Sequence, residues 1–303
     1  MAQLGLALGG GGARGLAHIG VLKALDEENI IPATVTGCSM GALVGGLYAY
    51  YGNAREVESF IISALSDPKF IGLGIDRFSA IGREASRGYF DQFMDYIGSR
   101  LQAIKSIHTL SYFDTDETNT MYGIIPDAPI ESLSIKFSAI ATDLRSGSEI
   151  HFTKGSLRTV IRASSAIPGI FPPVAHDNYF LVDGSASESV PVGRVREIGA
   201  DRVLAVDVTR ALKAVEQPTN IFDILYRTED ITSFHLSALR LREADLILRP
   251  DVKHLPWTKF DQAKKIIAAG EESARANMGE IKKLVERNSY IIELEHFLKK
   301  IKD

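Results

Sequence analysis

A single cysteine, Cys38, occurs among the 303 residues. No intrachain disulfide can form, a zinc site built on several thiolates is ruled out, and a reducing, cytoplasmic setting is the expectation. Positive charge is not in excess either. With 34 Lys and Arg against 38 Asp and Glu, the formal net charge is −4, so the general basic field that nucleic acid needs is missing and no nucleic-acid partner is expected. The opening MAQLGLALGGGG has neither the charged start nor the small-residue cleavage site of a secretory signal. Long apolar runs are scarce. Residues 33–51 carry no charge over about the length of a bilayer span, but Thr34, Thr36, Ser39 and repeated glycines lower their hydrophobicity. They read as a buried turn and helix rather than a membrane span. No fixed-period repeat or low-complexity linker divides the chain. What remains, 45% apolar and 24% charged residues, is ordinary for a packed globular protein.

Periodicity organises that material into layers. QLGLAL (3–8) reads as a strand that enters Gly9 to Gly12, and Leu16, Ile19, Val21, Leu22 and Leu25 then recur at helical spacing. ATVTG repeats the plan as a strand, CSMG as a turn, and ALVGGLYAYYG as a helix ended near Gly52. Two consecutive units of this kind predict an α/β fold with parallel strands. Further strands are expected at 135–144, 149–153, 179–184, 201–208 and 244–251, and a Lys- and Glu-rich helical region follows from Phe260. The simplest architecture is one three-layer α/β/α domain over 1–303, of which about 255–303 is a helical C-terminal extension. Residues 67–113 are less legible. Phe70, Ile71, Leu73, Ile75 and Phe78 crowd there without a period, as a lipid-facing loop or as a core-packed connection.

Three stretches carry chemistry. Gly37, Ser39 and Gly41 fit G-x-S-x-G between a strand and a helix, the context in which a serine is held on a sharp elbow as a nucleophile. Side chains at 37 and 41 would collide in such a turn. Gly10, Gly12 and Gly15 fit G-x-G-x-x-G after a strand, a dinucleotide fingerprint. However, the second strand ends in Thr36, Gly37, Cys38 and Ser39, without the ribose-holding carboxylate. The other reading makes the amides of Gly10, Gly11 and Gly12 an oxyanion hole. Arg14 then adds a fixed positive charge or pairs structurally with a carboxylate. Finally, Asp183 ends an apolar strand, with Gly184 permitting the sharp exit. Of the histidines, His235, His254 and His296 follow Asp183, but none sits in a turn with recognisable catalytic surroundings.

Taken in order, GGGGARG, GCSMG and DGS resemble the patatin-like phospholipases, and ATDLRSGSEIHF, RASSAIPGIFPPV and ADLILRPDV extend the resemblance over nearly the whole chain. It looks closest to the bacterial branch related to the neuropathy target esterase catalytic domain. The resemblance implies a Ser-Asp dyad of Ser39 and Asp183 with no histidine. It places Gly10, Gly11, Gly12 and Arg14 around the oxyanion, with Gly15, Gly37, Gly41 and Gly184 as motif glycines. Ser185 departs from the family pattern, and its hydroxyl can hydrogen-bond Asp183. The implied activity is a serine acyl hydrolase of lipid carboxylic esters, phospholipid or lysophospholipid, acting through an acyl-enzyme. No metal or other cofactor is expected. The partner is a lipid ester at a membrane or micelle surface, contacted peripherally from the cytoplasm. Two rivals remain: a catalytically quiet lipid-binding or regulatory protein on the same fold, and a dinucleotide-binding oxidoreductase.

Overall fold

The computed structural model describes residues 2–67, 110–209, 212 and 221–286. The apolar cluster Phe70 to Phe78, His108, His296 and the last part of the C-terminal extension lie outside the described residues.

An eight-stranded sheet organises these residues: β1 (Leu4–Leu8), β2 (Thr34–Gly37), β3 (Lys136–Asp143), β4 (Glu149–Phe152), β5 (Val174–His176), β6 (Tyr179–Asp183), β7 (Arg202–Val206) and β8 (Leu246–Leu248). Their order is β5-β6-β3-β2-β1-β7-β8, with β4 also on β3. The run β3-β2-β1-β7-β8 is parallel, whereas β4, β5 and β6 join antiparallel. β1 is buried throughout, as expected of a central parallel strand covered on both faces. Its pleat divides the core. Leu4, Leu6 and Leu8 join Leu204 and Val206 of β7 in the larger core, while Ala7 joins Val203 and Ala205 in the smaller one. Two cores on opposite faces make the expected three layers.

The described helices are α1 (Ala17–Glu27), α2 (Met40–Tyr51), α3 (Ala54–Ser66), α4 (Thr115–Gly123), α5 (Leu157–Ser164), α6 (Val192–Glu197), α7 (Ile221–Arg240), α8 (Ala263–Ala276) and α9 (Met278–Glu286). Local chemistry sets several ends. Gly52, at φ 68°, closes α2 in the left-handed conformation. The Asn53 side chain accepts the Arg55 and Glu56 amides at the start of α3, and Asp114 and Glu117 form a capping box at the start of α4. The uncharged stretch 33–51 is thus β2, a turn and a 12-residue helix. Among the described residues no helix is long and apolar enough to cross a membrane.

The C-terminal helices belong to the core. Ile266, Ile267, Ala274 and Ile281 share the larger cluster with α1 and β1. A Cβ at Gly270 would stand 1.9 Å from the Ala17 carbonyl oxygen, and one at Gly20 would stand 1.9 Å from the Ile267 oxygen. Two glycines therefore let α1 and α8 touch backbone to backbone. The hairpin of β5 and β6 is absent from the sequence reading, which begins its strand at Tyr179. Asp177, at φ 50°, makes the turn, a conformation that Asp tolerates better than most residues.

Register brings the elbow and the Asp-Gly turn together. Ala139 pairs with both Gly37 of β2 and Phe152 of β4, and Ala141 pairs with both Ile150 of β4 and Asp183 of β6. A strand has two edges, so β4 occupies one edge of β3, and β2 and β6 share the other. Two positions beyond Gly37 the chain reaches Ser39. Two positions beyond Ala139 the strand faces Asp183.

Candidate active site

The backbone of Ser39 is held at φ 53° and ψ −121°, a region L side chains rarely adopt and one that costs about 1–3 kcal/mol. Its surroundings enforce it. The Ser39 amide donates to Ser164 Oγ at 3.0 Å, Cys38 N–H to the Leu8 carbonyl at 3.0 Å, and Gly41 N–H to the Cys38 carbonyl at 2.8 Å. The glycines answer to space. A Cβ at Gly37 would lie 2.3 Å from the Gly41 oxygen, and one at Gly41 would lie 2.1 Å from the Leu8 oxygen. The first is a collision across the turn; the second is with β1. Ser39 itself caps α2, so the positive end of the helix dipole faces it.

Asp183 is 1% exposed at the end of β6, where its side chain caps a short 3-10 turn, Gly184–Ala186. Gly184 is required there because a Cβ would stand 2.6 Å from the Ile140 oxygen. Burial raises the Asp183 carboxyl above the usual carboxylate range, and the Ser39 side chain, with hydrogen bonds from the Ser185 amide and hydroxyl and from Cys38, opposes that rise. The Ser185 amide and hydroxyl reach Oδ1 at 2.8 and 2.7 Å, and Cys38 Sγ lies 3.8 Å from it. Burial, followed by the charge of Asp183, pushes the Cys38 thiol well up, so it faces the carboxylate as S–H. Nearby Glu188 is raised to about 8 by burial and by Glu149.

The first glycine turn lies beside the elbow. A Cβ at Gly10 would meet Ser39 Cβ at 3.3 Å. The Gly10 amide donates to the Ser189 carbonyl at 2.9 Å, and the Gly9 amide to the Val206 carbonyl at 3.1 Å. Among the described residues, the N–H groups of Gly11, Gly12 and Met40 have no intrachain acceptor. Gly12 has φ 56°, and a Cβ on it would stand 2.6 Å from the Trp257 oxygen. Gly11 is extended, but Val208 leaves a Cβ only 3.0 Å. At Gly15 a Cβ would meet Met40 Cγ at 2.5 Å. Arg14 is buried, and its Nε donates to the Gly11 carbonyl at 3.2 Å, which fixes the loop from within.

The described histidines stand apart from this pair. His18 is fully buried, 2.7 Å from the Gly9 carbonyl, and burial lowers it to about 4. It is neutral, with Nε2–H as donor. His151 faces Glu197, His176 faces Asp177, and His254 faces Asp251. Among the described residues, no histidine is hydrogen-bonded to Ser39 or Asp183. Three contributors have no mark in the sequence pattern: Ser164, which anchors the elbow amide; Cys38, which faces Asp183; and Trp257, whose carbonyl accepts the Ala13 amide at 2.6 Å. The nearest signal for Ser164 is its place in RASSAIPGIFPPV.

A cavity of about 150 Å³ opens from Ser39 and runs between α2, α3 and α4. Leu16, Leu43, Ile61, Met121, Phe171 and Trp257 make its walls apolar. Its one polar pair is the Tyr122 hydroxyl, 2.8 Å from Ser165 Oγ.

Fold and site together define an α/β protein with a serine elbow and an Asp-Gly turn on neighbouring strand ends. A family model for patatin-like phospholipase matches residues 6–195, and the chain belongs to that family. An uncharacterized NTE family protein of Mycobacterium tuberculosis is 32% identical over 212 residues, covering 68% of this chain and 49% of that protein. Lysophospholipase NTE1 of Mycosarcoma maydis is 37% identical over 208 residues, covering 68% of this chain and 10% of that protein. The chain thus spans about half the length of the first relative and a tenth of the second. VipD from Legionella pneumophila aligns at a TM-score of 0.49 with 14% identity, over 92% of this chain and 67% of that one.

Proposed function

We propose that the protein is a serine acyl hydrolase that cleaves carboxylic esters of lipids, phospholipid or lysophospholipid, through Ser39 and Asp183. The observation that carries this reading is a strained serine beside a buried carboxylate, at the mouth of an apolar cavity. The phospholipase family and the lysophospholipase name of a relative support the substrate class. Ser39 Oγ attacks the ester carbonyl while its proton passes to Asp183. The amides of Gly11, Gly12 and Met40 are the donors left for the oxyanion. Gly10 has a different task, since its amide is spent on Ser189 and its bare Cα makes room for Ser39. Arg14 holds the Gly11 peptide in place for the donors beside it. Asp183 gives the Ser39 proton to the departing alcohol or lysolipid, then takes one from a water that attacks the acyl-enzyme, and returns it to Ser39 Oγ as the fatty acid leaves.

Residues 1–303 form one acyl hydrolase domain in this reading. The family match ends at residue 195, yet β7 pairs along the whole of β1 and α8 packs on α1. The enzyme works in the cytoplasm at a lipid surface that it contacts without spanning. A fluorophosphonate probe tests the reading against a catalytically quiet lipid-binding protein: the enzyme reacts at Ser39, and the quiet protein does not react.

A further inference from the structure

Two cavities lie on either side of α3. The first begins at Ser39. The second is lined by Tyr51, Glu56, Ser59, Ser63 and Asp67. Phe60, Ala64 and Ile124 line both. Polarity changes across those three side chains. On the Ser39 side their neighbours are Ile61, Leu65 and Ile125, and on the other side the neighbours carry hydroxyls and carboxylates.

We propose that Phe60, Ala64 and Ile124 are the end stop of the acyl pocket and set the longest acyl chain that the enzyme accepts. The proposal rests on the reading of Ser39 as the nucleophile. With its carbonyl at Ser39, an acyl chain gains about fourfold in binding for each methylene it buries in the apolar cavity. At the wall that gain stops. The next methylene must displace Phe60 or Ile124, or pass among Glu56, Ser59, Ser63 and Asp67, where it would strip water from carboxylates and hydroxyls. The wall is stiff on one side and thin on the other. Phe60 is backed by Tyr51 with ring centroids 6.1 Å apart, while Ala64, one helical turn on, contributes a single methyl. Ile124 is 42% exposed and closes the gap from the α4 side.

The test is a chain-length profile of kcat/KM on p-nitrophenyl esters from butyryl to palmitoyl, for wild type, Ala64→Leu and Ile124→Ala. Ala64→Leu should lose at least roughly tenfold more on palmitoyl than on butyryl, since a few methylenes at about fourfold each are shut out. Ile124→Ala should move the preference toward longer chains. A wild-type profile in both folded variants, or an equal loss at every length, overturns the end stop. If Ala64→Leu does not fold, Ile124→Ala decides alone at its partly exposed position. Butyryl turnover that survives Ser39→Ala contradicts the reading of the site, whereas Ser39-dependent turnover with an unmoved profile contradicts the end stop only.

Discussion

The Ser185 hydroxyl donates to Oδ1 of Asp183 at 2.7 Å, the oxygen that also accepts the Ser185 amide. Each donor stabilises the carboxylate against the burial that would protonate it. Ser185 therefore favours the charged form of a deeply buried carboxylate. In the proposed mechanism Asp183 must be deprotonated to take the Ser39 proton, and losing a donor raises its pKa. In Ser185→Gly the acid limb of the pH profile of kcat/KM should shift to higher pH, with turnover kept above that limb. An unmoved limb would mean that Asp183 does not control it.

The second prediction separates a dyad from a triad. Asp183→Asn should lose roughly 10³-fold or more in turnover, close to the loss in Ser39→Ala, because groups acting as a unit do not add. His235→Ala and His254→Ala should each retain most of the activity. A folded histidine variant as inactive as Asp183→Asn would assign the base to that histidine.

Stability should carry the signature of His18. Its folded pKa of about 4 lies below the unfolded value of 6.5, so below pH 6.5 the unfolded chain binds the extra proton. The stability is fully present above pH 6.5 and is lost as the pH falls toward 4, on the order of 3 kcal/mol in all. Urea titrations across that range should show the fall in wild type. In His18→Gln, which can still donate to the Gly9 carbonyl, this component should be missing.

The contact of α1 with α8 predicts unequal costs for the same mutation. Gly270→Ala places a methyl 1.9 Å from the Ala17 oxygen, whereas a Cβ at Gly279 meets nothing within 4 Å. Gly270→Ala should destabilise by about 3 kcal/mol through forced separation of the helices. Gly279→Ala should be neutral or stabilising by up to about 1 kcal/mol. Denaturant midpoints of the two variants check this directly.

Much of the site is legible in the sequence because its constraints are local. Gly37, Gly41 and Gly184 stand where a side chain would strike backbone within a turn or on the adjoining strand, and such positions punctuate a sequence visibly. Strand-like runs at 3–8, 33–37 and 135–144 reach the sheet because buried parallel strands are built mainly of apolar and small or β-branched side chains. Long-range geometry leaves no such mark. That β2 and β6 share one edge of β3 depends on a register set across more than a hundred residues. Ser164 acquires its task only when α5 docks behind the elbow. Gly270 looks like a helix breaker in sequence, but it marks the closest approach of α8 to α1. The Gly10 amide, assigned to the oxyanion by its motif, is taken by Ser189, which only the folded chain brings there.

Intact-mass and peptide analysis after reaction with a fluorophosphonate shows whether Ser39 is the residue that carries the acyl group. One adduct is expected, on the peptide containing Ser39, matched by loss of ester hydrolysis and absent from a folded Ser39→Ala protein. An adduct on another residue, or a folded Ser39→Ala protein that keeps wild-type turnover, would contradict it.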